Sequence, residues 1–532
     1  MVQDIREQEE LSTRGRANLL GIPYADSREL IKEPLLEGIL SVPEMYEDKV
    51  IPLKKDHSTL TFGICTSTPQ QTAQKIRQKF QDVNVGFLMI SESGYKEFMR
   101  RYDPPKEVHY EDIAIATQDS KDAISNISRT LASVKSDDIL DYLITQADKL
   151  NASDIHFETE QDYVRMRMRV DGVLHPVARL THDKYRQLQS SIAIKANISI
   201  DAPEAQTGHM THNITGKDGK SHILNMRIET VPTNFGQDAV VRLLSIDAEI
   251  LDLKKLGLSD RQRQITQDAL SHSQGMIMLV GPTGSGKTTT LYSMIKDLNR
   301  PDRKIITLED PVEYGFEGVS QIPVNSRGGD TFANKLRAVL RLDPDVVMVG
   351  EIRDVDTAKT ALQAALTGHL VLSTFHAASA PAALSRMREM IGDNPLFSSA
   401  ISLIVAQRLV RILDDETKQS YKPDEQIKNK IAEAVNSLPE GYEKPNLDNL
   451  VLYKPGKSEK NPFGYKGRVM ILEQLRITPS IREVLRDPIK SLSTDELNRA
   501  AVNDGMVSMY QDGVLKAIEG ITSIEEVFKV TG

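Results

Sequence analysis

Apolar positions recur along this chain with two periods, and the switch between them marks out its parts. Between Leu19 and about Pro105, short apolar runs predict strands at Val50–Leu53, Leu60–Ile64 and Val85–Ile90. A helix is expected over Pro69–Phe80, giving a small α+β unit without a catalytic cluster. From about Pro105 to Ser136 the chain turns polar and Asp/Lys/Ser-rich, as a linker with some helical content would be. A second unit opens on an amphipathic helix, Ile139–Leu150, with Ile139, Leu140, Leu143 and Ile144 on its apolar side. Strands follow at Tyr163–Val170 and Val173–Val177, joined by the tight-turn pair Asp171-Gly172, and later at His222–Glu229 and Ala239–Leu244.

Beyond Leu251 the pattern changes to buried runs separated by helical ones. Apolar runs at Met276–Val280, Lys304–Leu308, Asp345–Val349 and His369–Ser373 each lead into a polar or Gly-rich loop. Helices are expected at Thr288–Leu298, Phe332–Leu342 and Asp356–Leu366, an alternation that predicts a mostly parallel α/β sheet. From about Pro395 the sequence reads as largely helical. The expected divisions are therefore 1–105, 106–137, 138–248, 249–394 and 395–532.

Composition narrows the setting. With 532 residues, roughly three domains are expected. Lys plus Arg number 66 against 75 Asp plus Glu, so the chain is not built as a general nucleic-acid coat. A lone cysteine, Cys65, excludes an internal disulfide framework and a Cys-only zinc site, and fits a reducing cytosol. The opening MVQDIREQEE does not resemble a secretory signal. The most apolar long stretch, Leu396–Leu413, is broken by Gln407, Arg408 and Arg411, so no segment predicts a membrane span.

Candidate chemistry begins at Gly281-Pro282-Thr283-Gly284-Ser285-Gly286-Lys287-Thr288, which fits the phosphate-loop pattern G-x-x-x-x-G-K-[ST]. Its glycines let backbone N–H groups curl toward phosphate oxygens. Lys287 supplies a charge for the β/γ-phosphates, Thr288 a hydroxyl for Mg²⁺, and the helix from Thr289 points its N-terminus at the same anion. Hydrolysis needs a base, and Glu351 stands at the end of the buried run Asp345–Val349, where ligands meet open α/β sheets. Glu309, Asp310 and Glu313 follow another such run and could hold Mg²⁺-bound waters. His369 and His376 flank Leu370–Phe375, either as γ-phosphate sensors or as satisfied structural residues.

Arginines form a second pattern. In Tyr163–Val170, a period of two puts Arg165, Arg167 and Arg169 on one face and Met166, Met168 and Val170 on the other. That face is either solvated and balanced by acids, or it meets the nucleotide site, with Arg227 and Arg242 joining it. Arg337 and Arg341, spaced i,i+4, share a helix face before the Glu351 strand.

These segments resemble the secretion and pilus-assembly ATPases of the PilB/GspE type, over nearly the whole chain. GPTGSGKTTTLY (281–292) resembles the Walker A motif, ITLEDPVEY (306–314) the Asp box, LRLDPDVVMVGEIRD (340–354) Walker B, and TGHLVLSTFH (367–376) the His box. ASDIHFE (152–158) and RMRVDGVLH (167–175) resemble the family's second N-terminal domain, and GYKGRVMILEQL (464–475) and GITSIEEVFKVTG (520–532) its C-terminal region. The resemblance implies a RecA-like core with a C-terminal helical region, preceded by a PAS-like α+β domain and an N-terminal α+β domain. It implies that residues 281–289 hold Mg-ATP, that Glu351 activates water, that Glu309 and Glu313 support the metal, and that Arg169 and Arg227 approach the phosphates. It further implies a cytoplasmic homo-hexamer beneath an inner-membrane platform protein, with the unit at 19–105 similar to that of assembly-type members. Many relatives carry a paired CxxC zinc element after the stretch matching Gln407–Arg411; here Asp414-Asp415-Glu416 and a Lys/Glu-rich segment to Lys460 stand instead. Around Leu19–Leu40 the motif by which some relatives bind cyclic dinucleotides is only partly matched. A pilus-extension motor is therefore expected, against a secretion or DNA-uptake motor of the same family and a nucleotide-gated scaffold.

Overall fold

The computed structural model describes residues 2–30, 34–56, 58–103, 113, 121–135, 138–200, 202–215, 221–244, 251–325, 330–392, 397–458, 461, 463–486 and 493–532. Most of the expected linker thus lies outside the described residues, apart from a helix over Lys121–Ser133. The chain divides into two compact units, Met1–Tyr110 and Glu111–Gly532.

In the first unit, β1 (Val50–Asp56) pairs antiparallel with β2 (Thr59–Ile64), which pairs parallel with β3 (Asn84–Met89). The parallel step requires a crossover, and the helix Thr72–Lys79 supplies it. Phe62, Ile51, Ile76 and Phe98 fill the core. The long helix Val2–Leu20 is tied to this unit by the buried Glu10, which accepts from the hydroxyls of Tyr24 at 2.7 Å and Ser91 at 2.7 Å.

The second unit contains two large sheets. One is antiparallel, with β4 (Ala152–Thr159), β5 (Val164–Val170), β6 (Val173–Leu180), β7 (Gln206–Thr215), β8 (Ser221–Thr233) and β9 (Gly236–Leu244) in the order β6-β5-β4-β9-β8-β7. Val164, Met166 and Met168 are buried while Arg165, Arg167 and Arg169 stay half-buried on the opposite face, as the period of two predicts. The helix His182–Ala196 covers the apolar face, with Tyr185 stacked on Phe157 at 5.5 Å.

The other sheet carries β10 (Gly275–Val280), β11 (Ile305–Glu309), β12 (Val319–Pro323), β13 (Val346–Val349) and β14 (Leu370–Phe375), all parallel. Both faces are covered: Met276, Met278 and Val280 join one apolar cluster, Ile277 and Leu279 the other. This explains the unbroken apolar runs. The helical expectation beyond Pro395 needs correction at four strands. Ile401–Leu413 is a strand, β15, parallel to β10 and next to it. After the small ribbon β16 (Gln419–Tyr421) and β17 (Leu452–Lys454), Tyr465–Arg476 returns as β18, antiparallel to β15. The β-branched residues Ile401, Ile404, Val405, Val410 and Ile412 favour a strand, and burial between two layers removed the alternation that would have revealed it.

Between β15 and β18, apolar packing holds the segment in which the sequence carries no cysteine. The helix Glu425–Asn436 places Ile431 and Val435 against Leu452, Val514, Ile524 and Val527. At its base Asp414 accepts from Asn461 Nδ2 at 2.7 Å, and its N–H donates to Gly464 O at 3.0 Å.

Candidate active site

The loops that carry the candidate residues leave the same end of the parallel sheet. Gly281 follows β10, Glu309 ends β11, Glu351 follows β13 across Gly350, and His376 follows β14. This is the carboxyl end, where open α/β sheets bind ligands.

The phosphate loop folds into the helix Lys287–Leu298, whose N-cap, Gly286, has φ 85° and offers no side-chain cap. The first-turn amides therefore meet no capping side chain, as an anion site requires. Side chains are excluded where the loop is tightest: a Cβ on Gly281 would meet Ser285 Oγ at 2.5 Å and Gln407 O at 2.7 Å. Lys287 Nζ donates to the carbonyls of Gly281 and Pro282, both at 2.8 Å. Burial pulls its pKa below the usual lysine value, opposed by the charge of Glu351. A half-buried ammonium resting on two carbonyls has its charge held in place for an incoming phosphate. Thr288 and Thr289 are half-buried at the same helix start.

Glu351 faces this loop. Its carboxylate is ion-paired with Arg353, and its Oε2 lies 3.7 Å from His376 Nε2. The backbone beneath it is locked to β14, because Thr374 Oγ1 donates to Gly350 O at 2.7 Å and Ser373 Oγ to Val349 O at 2.8 Å. His376 thus joins the site. His369 does not: it precedes β14, about 20 Å of strand from the carboxyl end, and its Nδ1 meets Ala364 O at 3.0 Å. The structural role offered for it is the one its position supports.

The acidic loop splits into different environments. Glu309 is buried and caged by neutral donors: Thr307 Oγ1 at 2.6 Å, Gln321 Nε2 at 3.1 Å and the Tyr292 hydroxyl. Burial raises the pKa of Glu313, and the charge of Glu309 raises it further, while Arg242 and Arg227 pull it back. Arg227 and Arg242 therefore reach this loop electrostatically from the antiparallel sheet.

Strand register explains which arginines do so. Arg169, Asp154, Arg242, Arg227 and His209 stand in one cross-strand row over β5, β4, β9, β8 and β7. Asp154 bridges Arg242 at 2.9 Å and Arg169 at 3.3 Å, and Arg227 pairs with Glu229 at 2.6 Å. Arg165 and Arg167 pair with Glu158, and Arg165 also with Glu160 at 3.0 Å, so they form the acid-balanced face. Arg337 and Arg341 are both exposed. Next to the acidic loop, His209, Asn225 and Lys195 line a cleft with Pro311 and Val312.

Sequence reasoning passed over three supporting residues. Gln407, fully buried in β15, donates from Nε2 to Ser285 O at 2.8 Å and so braces the phosphate loop from below. Tyr292 and Arg353 hold the two carboxylates just described. Gln407 had a signal, a lone amide inside the apolar run Ile401–Val410; Tyr292 and Arg353 had none.

The family described as type II/IV secretion system protein matches residues 132–529. This chain belongs to that family. Type II secretion system protein E of Dickeya dadantii (strain 3937) is 34% identical over 519 residues, covering 95% of this chain and 99% of its own. Type IV pilus assembly ATPase PilB of Pseudomonas aeruginosa is 32% identical over 524 residues, covering 97% of this chain and 89% of its own. Among solved structures, the ATPase DotB of Legionella pneumophila aligns with a TM-score of 0.55 at 21% identity, over 75% of this chain and 96% of that one, a likeness of fold. The family member is thus an ATPase of the secretion and pilus-assembly class. Among the described residues no helix is long and apolar enough to cross a membrane.

Proposed function

We propose that this chain is a motor that hydrolyses ATP to drive type IV pilus extension, working as a homo-hexamer against an inner-membrane platform protein. The observation that carries the reading is the convergence of the phosphate loop, Glu351 and the Glu309–Glu313 loop at one sheet end. Arginine charge from a separate sheet bears on the same loop.

In this reading the glycine amides and Lys287 bind the β/γ-phosphates, and the charge now resting on two carbonyls turns to the γ-phosphate. Mg²⁺ would arrive with its nucleotide and keep much of its hydration shell. Thr288 and Glu313 would hold that ion with its waters, and it would supply neutralising charge at the phosphates. Glu351 accepts the proton of the attacking water once its pairing with Arg353 opens, and His376 orients it. Arg227 and Arg242 complement charge at the phosphates, so that nucleotide draws the antiparallel sheet toward the core. That movement is the work stroke.

A second reading, the type II secretion motor, is favoured by the slightly higher identity to the Dickeya protein over nearly its whole length. Deleting the gene and imaging the cell surface separates them. Loss of surface filaments supports pilus extension; unchanged filaments with lost protein secretion overturn it in favour of the second.

A further inference from the structure

The helix that carries Lys287 and the loop that carries the acids are joined by one hydroxyl. Tyr292 lies on the inner face of the helix Lys287–Leu298 and is fully buried. Its hydroxyl donates to Glu309 Oε2 and accepts the backbone N–H of Glu313 at 3.2 Å. The other carboxylate oxygen, Glu309 Oε1, is already occupied by Thr307 and Gln321. Both ends of the acidic loop therefore refer to a single atom on the phosphate-loop helix. The ring is fixed independently of the hydroxyl: Phe316 packs edge-on at 5.2 Å, and Tyr314 in turn packs on Phe316 at 5.0 Å. Burying a carboxylate and a tyrosine together is costly unless they are hydrogen-bonded, and here Glu309 accepts three bonds while the Tyr292 hydroxyl donates one and accepts one.

We propose that Tyr292 is a positioning residue that sets Glu313 at a fixed distance from Lys287 and Thr288, so that Mg²⁺ and nucleotide are sensed together. The proposal rests on the nucleotide site described above. In it the caged Glu309 acts as an anchor, and Glu313 is the acid assigned to the ligand.

The test is nucleotide binding by the full chain, read with a fluorescent ATP analogue in EDTA and across a Mg²⁺ titration. Tyr292→Phe keeps the ring and removes the hydroxyl. The Mg²⁺ concentration for half-maximal enhancement of binding should rise about tenfold, the effect of one hydrogen bond to a charged group. Affinity in EDTA should stay within about twofold, since no phosphate contact is touched. Thr307→Val removes a donor to Glu309 but leaves Glu313 anchored, and should shift the Mg²⁺ response by less than about threefold. The proposal is overturned if Tyr292→Phe leaves the Mg²⁺ response unchanged, or if affinity in EDTA and melting temperature fall together. It is also overturned if Thr307→Val matches Tyr292→Phe. An unaltered chain that binds no nucleotide would reject the site itself, an outcome distinct from the others.

Discussion

Replacing Gln407 by leucine separates what that residue does for stability from what it does for the phosphate loop. Its Nε2 donates to Ser285 O at 2.8 Å, while its Oε1 is buried without a hydrogen-bond partner among the described residues. Leucine would leave the Ser285 carbonyl unsatisfied, a loss of about 1–3 kcal/mol. It would also remove an orphaned acceptor of about the same magnitude, and it nearly conserves volume. The two effects cancel to within about 1 kcal/mol, so stability should hardly change. The loop, however, loses its brace beneath the Ser285–Gly286 peptide. Re-ordering about one residue of backbone on binding costs about 1–2 kcal/mol, which corresponds to roughly tenfold weaker nucleotide affinity. Titration with a fluorescent ATP analogue, beside thermal unfolding of the same samples, measures both. Unchanged affinity would refute the brace, and a stability loss above about 3 kcal/mol would refute the orphaned acceptor.

Two further outcomes follow from the same geometry. Asp512 and Lys516 form a buried pair at 2.9 Å, with Asp512 also accepting from Gln262 Nε2 at 2.8 Å and Leu472 N–H at 2.9 Å. Asp512→Ala should cost about 3–5 kcal/mol by stranding a buried ammonium, seen as a lower denaturant midpoint; an unchanged midpoint would contradict this. Burial and the nearby Arg411 hold the pKa of His175 below 6.5, against the weaker pull of Asp171, with its ring 4.4 Å from Phe463. The folded state then binds fewer protons than the unfolded one, so this share of stability is present above pH 6.5 and lost as pH falls toward the folded value. His175→Gln should flatten the loss of stability as pH falls below 6.5, and an equally steep loss in the variant would count against the assignment.

Local signals in the sequence made the parallel sheet and the phosphate loop legible. The runs at Met276–Val280 and Asp345–Val349 ended in Gly281 and Glu351, and a glycine-rich loop has a spacing that chance rarely supplies. The second half of the sheet was hidden because β15 and most of β18 are buried, and their mostly apolar runs carry no clear period of two to separate strand from helix. His369 and His376 looked equivalent in sequence; only the direction of β14 shows that one stands at the far end. The arginine alternation in β5 was readable, but its balance was not. That Asp154 serves both Arg169 and Arg242 depends on strand register across distant segments.

The central claim is that Glu351 converts nucleotide binding into hydrolysis. Glu351→Gln preserves shape and leaves the Thr374–Gly350 hydrogen bond beneath it in place, while removing the carboxylate that takes the proton. Phosphate release and nucleotide affinity, measured on the same preparations of the unaltered chain and the variant, decide it. The account predicts affinity within about threefold of the unaltered chain, with turnover reduced by at least about 100-fold, the usual reach of general-base catalysis. A Glu351→Gln chain that still turns over ATP at the original rate would contradict it.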